Sequence, residues 1–174
     1  TPFVGRDAEL AALEKMSAAR LLTLVGTGGM GKTRLALMLG RTRLSAFPDG
    51  VFFVSLAPLA NTSTIAPTIA TTLGISVLGG DPRQALLHNL RDKQLLLILD
   101  NFEHLLTASS LVQSLLENSP HLQLLITSRE ALRLPQERIF SLAPLPAPLP
   151  EGEDSLANNP AIMLFFAYAQ QAEP

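Results

Sequence analysis

The chain has 174 residues, which is enough for one domain of ordinary size with its own hydrophobic core. Thirteen Lys and Arg against fifteen Asp and Glu give a net charge of −2, so the charge balance predicts direct binding neither to nucleic acid nor to an anionic membrane. An apolar fraction of 47% argues against disorder, and the absence of Cys excludes disulfides and Cys-based zinc sites. No apolar run approaches the ~20 residues that span a bilayer, and no secretory signal opens the chain, so we expect a cytoplasmic protein.

The predicted elements alternate between strands and helices along the chain. Short apolar runs predict strands, and apolar residues at helical spacing predict helices. One helix is expected to begin at Asp81, an acidic cap followed by a proline at the first helical position. This alternation predicts an α/β fold, in which a mainly parallel sheet has helices on both faces. In chain order the elements are a helix over 7–18, a strand over 21–25, a helix over 33–44, a strand over 51–56, helices over 63–73 and 81–91, a strand over 94–99, one broken or two short helices over 102–118, and strands over 122–127 and 138–142.

The composition changes after the last predicted strand. Between Pro144 and Pro150, prolines alternate with Leu and Ala, which is typical of an extended segment without ladder hydrogen bonds. We therefore expect a compact domain over 1–143, an exit strap over 144–158 and a C-terminal helix over 159–174. Because that helix is too apolar for a free surface, it should pack on this domain or lead into a further helical domain. The chain opens on Thr rather than Met, and we expect it to be a piece of a longer protein.

A glycine-rich segment lies between the first predicted strand and the following helix. Its sequence, Gly26-Thr27-Gly28-Gly29-Met30-Gly31-Lys32-Thr33, fits the phosphate-binding pattern G-x-x-x-x-G-K-[ST], the Walker A motif. Glycines let the backbone curl so that successive N–H groups point at phosphate oxygens, and the helix directs the positive end of its dipole to the same place. Lys32 adds a charge for the β- and γ-phosphates, and Thr33 offers a hydroxyl to Mg²⁺. The alternative is a glycine-rich turn that happens to precede Lys-Thr.

A carboxylate ends the most apolar predicted strand. Asp100 directly follows Leu95–Leu99, the arrangement of a Walker B motif. Ligands of open parallel sheets bind at the carboxyl ends of the strands, so Asp100 should face the phosphate loop and hold Mg²⁺, usually through water. The alternative is that Asp100 caps the helix that starts near Phe102.

Two further charged residues follow predicted strands and are candidates for hydrolysis and sensing. Glu103 can take a proton from an attacking water if its side chain turns towards the γ-phosphate, whereas Asn101 can only orient water. Alternatively, Glu103 is a first-turn glutamate favoured by the helix dipole. Arg129 follows the fourth predicted strand and can bridge to a γ-phosphate by a forked hydrogen bond, which would report the third phosphate. The alternative for Arg129 is a surface pair with Glu130 or Glu137.

These segments together resemble one family of proteins. Phe3-Val4-Gly5-Arg6 with Glu9-Leu10 is similar to the "hhGRxxEL" opening of the STAND signal-transduction ATPases, relatives of the NB-ARC proteins. The glycine-rich loop, the strand that ends at Asp100 and the sequence Thr127-Ser128-Arg129 follow in that family's order. Phe140-Ser141-Leu142 with Pro144-Leu145 resembles its next strand and exit segment. The likeness is to the ATPase part of bacterial transcription regulators of the LuxR and AfsR kind.

The resemblance implies a fold, a nucleotide site and a cycle. The fold would be a three-layer P-loop NTPase of the ASCE type with a five-stranded sheet in the order 5-1-4-3-2. Val4, Gly5 and Arg6 would lie near the adenine, with ADP holding a resting state and ATP an active one. Asn101 stands where many relatives carry a second acid, a departure from the family pattern that bears on the rate of hydrolysis. The family's helical, winged-helix, sensor and DNA-binding domains would belong to other parts of the full-length protein.

The sequence therefore predicts an ATP/ADP-binding module of a signalling switch that regulates an effector, with transcription as the expected output. ATP and Mg²⁺ would bind at the loop, and slow hydrolysis to ADP and phosphate would reset the state. A nucleotide-dependent oligomer is a further expectation, whereas direct contact of this part of the chain with nucleic acid or a membrane is not expected. One alternative is a P-loop small-molecule kinase, for which Arg83 is the candidate lid arginine. The other is a non-hydrolysing scaffold that keeps ADP, which Asn101 favours.

Overall fold

The computed structural model describes residues 5–77 and 79–144. Its strands form one sheet in which each neighbouring pair is parallel, in the order β2-β3-β4-β1-β5. This is the predicted order read from the other edge, so the predicted fold class is confirmed. The strands are Leu21–Val25 (β1), Val51–Ser55 (β2), Leu96–Asp100 (β3), Gln123–Ser128 (β4) and Glu137–Ser141 (β5).

The described residues form five α-helices and three short 3₁₀ helices. The α-helices are Asp7–Lys15 (α1), Lys32–Thr42 (α2), Ile65–Thr72 (α3), Pro82–Leu90 (α4) and Ser109–Asn118 (α5). The 3₁₀ helices are Leu44–Ala46, Thr62–Thr64 and Phe102–Ala108. No described helix has both the length and the apolar character needed to cross a membrane.

The helix boundaries follow local chemistry where the sequence carried a clear signal. The Asp81 carboxylate accepts a hydrogen bond of 3.0 Å from the Arg83 backbone N–H, which confirms the predicted cap. The helix predicted over 63–73 instead begins at Ile65, after a 3₁₀ turn. Pro67 therefore falls in the first turn of α3, where a missing N–H costs no intrahelical hydrogen bond. The segment 102–118 is broken into a 3₁₀ helix and α5, one of the two predicted forms.

Strand β3 lies inside the sheet and is buried on both faces. Leu97 and Leu99 pack in the hydrophobic cluster with α3, α4 and α5. Leu96 and Ile98 point the other way, into the cluster with α1 and α2. A parallel strand covered on both faces needs a continuous apolar run rather than an alternating one. The run that precedes Asp100 thus places that carboxylate at the end of a fully buried strand.

The carboxyl ends of the central strands meet at one edge of the sheet, because all of the strands are parallel. Val25, Asp100 and Ser128 end β1, β3 and β4 at this edge. The glycine-rich loop follows directly from Val25. Pro144 is the last described residue, so the rest of the predicted strap and the predicted C-terminal helix lie outside the described residues.

Arg6 connects three separate parts of the chain at this end of the molecule. Its side chain is 8% exposed and forms an ion pair with Glu9. Its Nη2 donates hydrogen bonds of 3.3 Å to the Met30 carbonyl in the glycine-rich loop and of 2.8 Å to the Ala143 carbonyl beyond β5. One buried guanidinium therefore holds the start of α1, the loop and the end of the sheet together.

Arg6→Met should lower the free energy of unfolding by about 1–3 kcal/mol, because two carbonyls lose a charged donor and Glu9 loses its partner. Urea unfolding of the two proteins measures the difference. The exposed Arg138, on edge strand β5, provides the control: Arg138→Met should change stability by less than about 0.5 kcal/mol. Equal losses in the two variants would contradict a specific role for Arg6.

Candidate nucleotide-binding site

The glycine-rich loop has the backbone shape that its composition predicts. Gly29 and Gly31 have φ of 79° and 85°, a left-handed conformation that residues with a Cβ adopt at a cost. Helix α2 begins at Lys32, directly after Gly31, and no described side chain caps its N-terminus. The loop and the uncapped first turn of α2 thus present backbone N–H groups at the carboxyl edge of the sheet, where an anion binds favourably.

The Lys32 ammonium lies over the same loop. Its Nζ donates hydrogen bonds of 2.8 Å to the Gly26 carbonyl and 2.9 Å to the Thr27 carbonyl. An ammonium has three N–H donors, so one remains beyond these two. The full positive charge of Lys32 is therefore held at the glycine-rich loop.

Asp100 is buried beside the loop, and its carboxylate accepts two hydroxyl hydrogen bonds. Oδ1 accepts from the Thr33 hydroxyl at 2.8 Å and from the Thr127 hydroxyl at 2.6 Å. The 3₁₀ helix that starts at Phe102 is preceded by Asn101 and has no side-chain cap, so the capping alternative for Asp100 is not what the structure contains. A carboxylate next to a hydroxyl is an oxygen donor set that suits Mg²⁺, and Thr33 and Asp100 are the two residues predicted to hold it.

Thr127 is a member of this cluster that the sequence analysis placed only within a strand and a family motif. Its side chain is fully buried at the end of β4. Besides donating to Asp100, its hydroxyl accepts a 3.0 Å hydrogen bond from the Asn101 backbone N–H. The signal that could have found it is a hydroxyl one strand away from a buried acid, but the pairing of β3 with β4 is needed to see this.

Glu103 and Arg129, predicted separately, form an ion pair with 3.2 Å between Arg129 Nε and Glu103 Oε1. The Arg129 side chain is 64% exposed, whereas that of Glu103 is 18% exposed. A Cβ placed on Gly28 would lie 3.5 Å from Arg129 Nη2, so the guanidinium lies against the glycine-rich loop. The buried Oε2 of Glu103 has no hydrogen-bond partner among the described residues.

The surface pairs considered for Arg129 are not formed. Glu137 instead accepts hydrogen bonds from the backbone N–H groups of Leu132 and Arg133, at 2.9 and 2.7 Å. The carboxylate of Glu137, the first residue of β5, therefore binds the turn that precedes this strand, whereas Arg129 lies at the carboxyl edge with Glu103.

Two other predicted residues have structural partners elsewhere. Arg6 uses its guanidinium on Glu9 and two carbonyls, and its contact with adenine remains a prediction, as does that of Gly5; Val4 lies outside the described residues. Arg83 donates to the Ser114 hydroxyl at 2.5 Å and to the Ser110 carbonyl at 3.4 Å, both on α5. Because these hydrogen bonds fix the Arg83 side chain against α5, the structure gives no support to the role of Arg83 in a mobile lid.

The chain is similar to curated bacterial proteins. An uncharacterized protein of Mycobacterium tuberculosis is 38% identical over 174 residues, which cover 98% of this chain and 42% of that protein. A second protein of that organism, assigned as an HTH-type transcriptional regulator, is 42% identical over 123 residues, which cover 68% of this chain and 13% of the regulator. The chain thus spans less than half the length of the curated relatives it matches.

Solved structures share the fold at low sequence identity. Cdc6p from Pyrobaculum aerophilum has a TM-score of 0.66 at 16% identity, with 97% of this chain and 52% of that chain covered. The Signal Transduction ATPase with Numerous Domains (STAND) protein with a tetratricopeptide repeat sensor from Pyrococcus horikoshii has a TM-score of 0.52 at 19% identity, with 80% of this chain and 23% of that chain covered. These likenesses concern the P-loop NTPase fold alone.

A family model also matches the part of the chain that holds most of the candidate site. It is described as an AAA domain and covers residues 15–134, well over half of the chain, including the glycine-rich loop, Asp100, Glu103 and Arg129. The chain therefore belongs to the AAA domain family of P-loop NTPases.

Proposed function

We propose that this domain is the ATP- and ADP-binding module of a signalling switch, which controls an effector through ATP binding and slow hydrolysis. One observation carries the proposal: a single edge of the sheet brings together the glycine-rich loop, the buried Asp100 and the pair formed by Arg129 and Glu103. Each of these groups suits one part of a magnesium-bound triphosphate.

The phosphate chain would be held by the loop N–H groups, the first turn of α2 and Lys32. Because the ammonium is already at the loop, phosphate oxygens need only take its third donor and compete for the two carbonyl contacts. Opposite unit charges about 4 Å apart interact by ~4 kcal/mol at an effective dielectric near 20, before desolvation is subtracted. This local attraction outweighs the net charge of −2, which is spread over the whole chain. Thr33 and Asp100 would hold Mg²⁺, which neutralises phosphate charge when bound.

The ion pair suggests how the third phosphate is sensed. Arg129 is exposed and, among the described residues, makes one ion pair, with Glu103, so a γ-phosphate beside Gly28 can compete for its guanidinium. A guanidinium that turns to phosphate leaves Glu103 free to accept a proton from water. ADP offers no group at this position, and the pair would then persist. Asn101 supplies no second acid, which is why we expect hydrolysis to be slow.

The wider role is proposed from one relative and one structural neighbour. One relative is named as an HTH-type transcriptional regulator, and one structural neighbour is a signal-transduction ATPase with a tetratricopeptide repeat sensor. Since this chain spans less than half the length of the matched relatives, we propose that helical, winged-helix, sensor or DNA-binding domains of the same protein receive the signal, and that transcription is the output. A nucleotide-dependent oligomer and a cytoplasmic location belong to the same proposal.

A second candidate function is a scaffold that keeps ADP without turnover. Two observations favour the scaffold over the kinase. The Glu103 carboxylate is paired with Arg129, and the Arg83 side chain is hydrogen-bonded to α5 rather than placed in a mobile lid. The scaffold and the switch differ in phosphate release, which the third experiment below measures.

Lys32→Ala should abolish most of the stabilisation that nucleotide confers. For the unchanged protein, ATP and Mg²⁺ at ~100 times the dissociation constant should add about 2.7 kcal/mol to the free energy of unfolding. Thermal melts with and without nucleotide measure the gain. Lys15→Ala, at an exposed lysine of α1, is the matched control and should keep the full shift. A full shift in Lys32→Ala would refute the assignment of Lys32 to phosphate.

Arg129→Met should weaken ATP binding about tenfold and leave ADP binding within about twofold, because a charged hydrogen bond to the γ-phosphate is worth ~1.5 kcal/mol. Calorimetric titration with each nucleotide gives the two dissociation constants. Arg138→Met should change neither. If ATP and ADP lose affinity equally in Arg129→Met, the residue does not distinguish the third phosphate.

Glu103→Gln should slow phosphate release by about 10²–10⁴-fold, because Gln cannot accept the proton of the attacking water. Release from labelled ATP is followed under single-turnover conditions, with the exposed Glu130→Gln as a control that should keep the parent rate. An unchanged rate in Glu103→Gln argues against the general base. No release from the parent protein, with ADP found in the purified sample, favours the scaffold.

A further inference from the structure

We propose that Thr127 is a positioning residue, whose hydroxyl aims the Asp100 carboxylate at Mg²⁺ and fixes the turn that presents Glu103. The inference rests on the proposed binding of a magnesium nucleotide and assigns a role to a residue outside both the glycine-rich loop and the strand that ends at Asp100.

The Thr127 hydroxyl lies between the ends of β3 and β4, in the gap just beyond their last paired residues. The paired register of β3 and β4 ends at Leu99 and Ile126. One residue further on, Thr127 spans the gap with its side chain: Oγ1 donates to Asp100 Oδ1 at 2.6 Å and accepts from the Asn101 N–H at 3.0 Å. Hydrogen bonds of the Thr127 side chain therefore join the two segments where the backbone pairing of β3 and β4 has ended, next to the Asp100 carboxylate.

Thr127 and Thr33 donate to the same carboxylate oxygen but are not equivalent. Thr33 lies in the first turn of α2 and belongs to the phosphate-binding motif, so its hydroxyl oxygen is the one available to Mg²⁺. Thr127 is fully buried, and both of its hydrogen bonds go to β3 and the turn after it. Its hydroxyl therefore orients the acid without ligating the metal. Partners of this kind, which orient a ligating carboxylate, affect metal affinity about 10–100-fold when removed.

The same hydroxyl reaches the turn that leads to Glu103. Asn101 has φ of 63°, a left-handed conformation that Asn tolerates better than most residues. Its N–H is bound by Thr127, and Glu103 follows two residues later. Arg129 lies two residues after Thr127, directly beyond the end of β4. One hydroxyl thus connects the metal carboxylate with the segments that carry both members of the Arg129–Glu103 pair.

The test compares nucleotide affinity with Mg²⁺ and with EDTA. ATP dissociation constants are measured for the parent protein, Thr127→Val and Thr127→Ser under both conditions. Thr127→Val keeps the shape of the side chain but loses the hydroxyl, so affinity with Mg²⁺ should fall about 10–100-fold. Affinity in EDTA should stay within about twofold, since the glycine-rich loop is unchanged, and Thr127→Ser should restore the dependence on Mg²⁺.

Thr23 provides a matched control. It is fully buried in β1, like Thr127 in β4, but its hydroxyl has no partner among the described residues. Thr23→Val should leave both dissociation constants within about twofold of the parent values and should not destabilise the fold. Should Thr127→Val fail to fold, Thr127→Ala removes the same hydroxyl without its bulk, and circular dichroism establishes that the sheet is intact.

The outcomes separate the inference from the proposed function. If the parent protein depends on Mg²⁺ and Thr127→Val depends on it equally, the inference is wrong and the proposed function stands. If Thr127→Val loses the same factor with and without Mg²⁺, its role is structural, and the inference is again wrong. If the parent protein binds no nucleotide, or binds it without regard to Mg²⁺, both the proposed metal site and the inference fail.

Discussion

The need to satisfy one buried carboxylate organises the carboxyl edge of this sheet. Asp100 ends a strand whose two faces are covered by helices, so its charge cannot rely on bulk water. Two hydroxyls, from Thr33 and Thr127, supply the hydrogen bonds that such a group requires. Because these residues belong to α2 and β4, satisfying the acid also fixes where the first turn of α2 stands against the sheet. The position of the glycine-rich loop therefore follows from the same interaction.

The cations at this edge are held by partners that a polyanion can replace. Lys32 donates to carbonyls of its own loop, and the exposed Arg129 pairs with the largely buried Glu103. Neither is buried in a closed network, so exchanging these partners for phosphate oxygens costs little reorganisation. Arg6 differs, because it is buried and uses its charge to join the loop to the end of the sheet. Two cations whose partners phosphate can replace, Lys32 and Arg129, and one buried cation, Arg6, thus lie at the glycine-rich loop.

Arg6 also connects the glycine-rich loop to the residues that follow β5. Arg6 binds Met30 in the loop and Ala143 just after β5, from which the chain continues towards the proline-rich residues. The relatives are more than twice as long as the stretch they share with this chain, and the proposed switch would need such a connection to act on other domains. The contact is short-range and polar, which makes it sensitive to small displacements of the loop.

Local chemistry in the sequence determined the strands and helices, the phosphate motif and the cap at Asp81, because periodicity and capping depend on neighbours in the chain. The sheet order came from resemblance to a family and agrees with the structure. Only the tertiary structure decided that Arg129 pairs with Glu103 rather than Glu137, that Arg83 is held on α5, and that Thr127 supports Asp100. These contacts join residues that are far apart in sequence, and strand register and side-chain direction bring them within hydrogen-bonding distance. No periodicity or motif in the sequence encodes these contacts, since they depend on how separate elements pack.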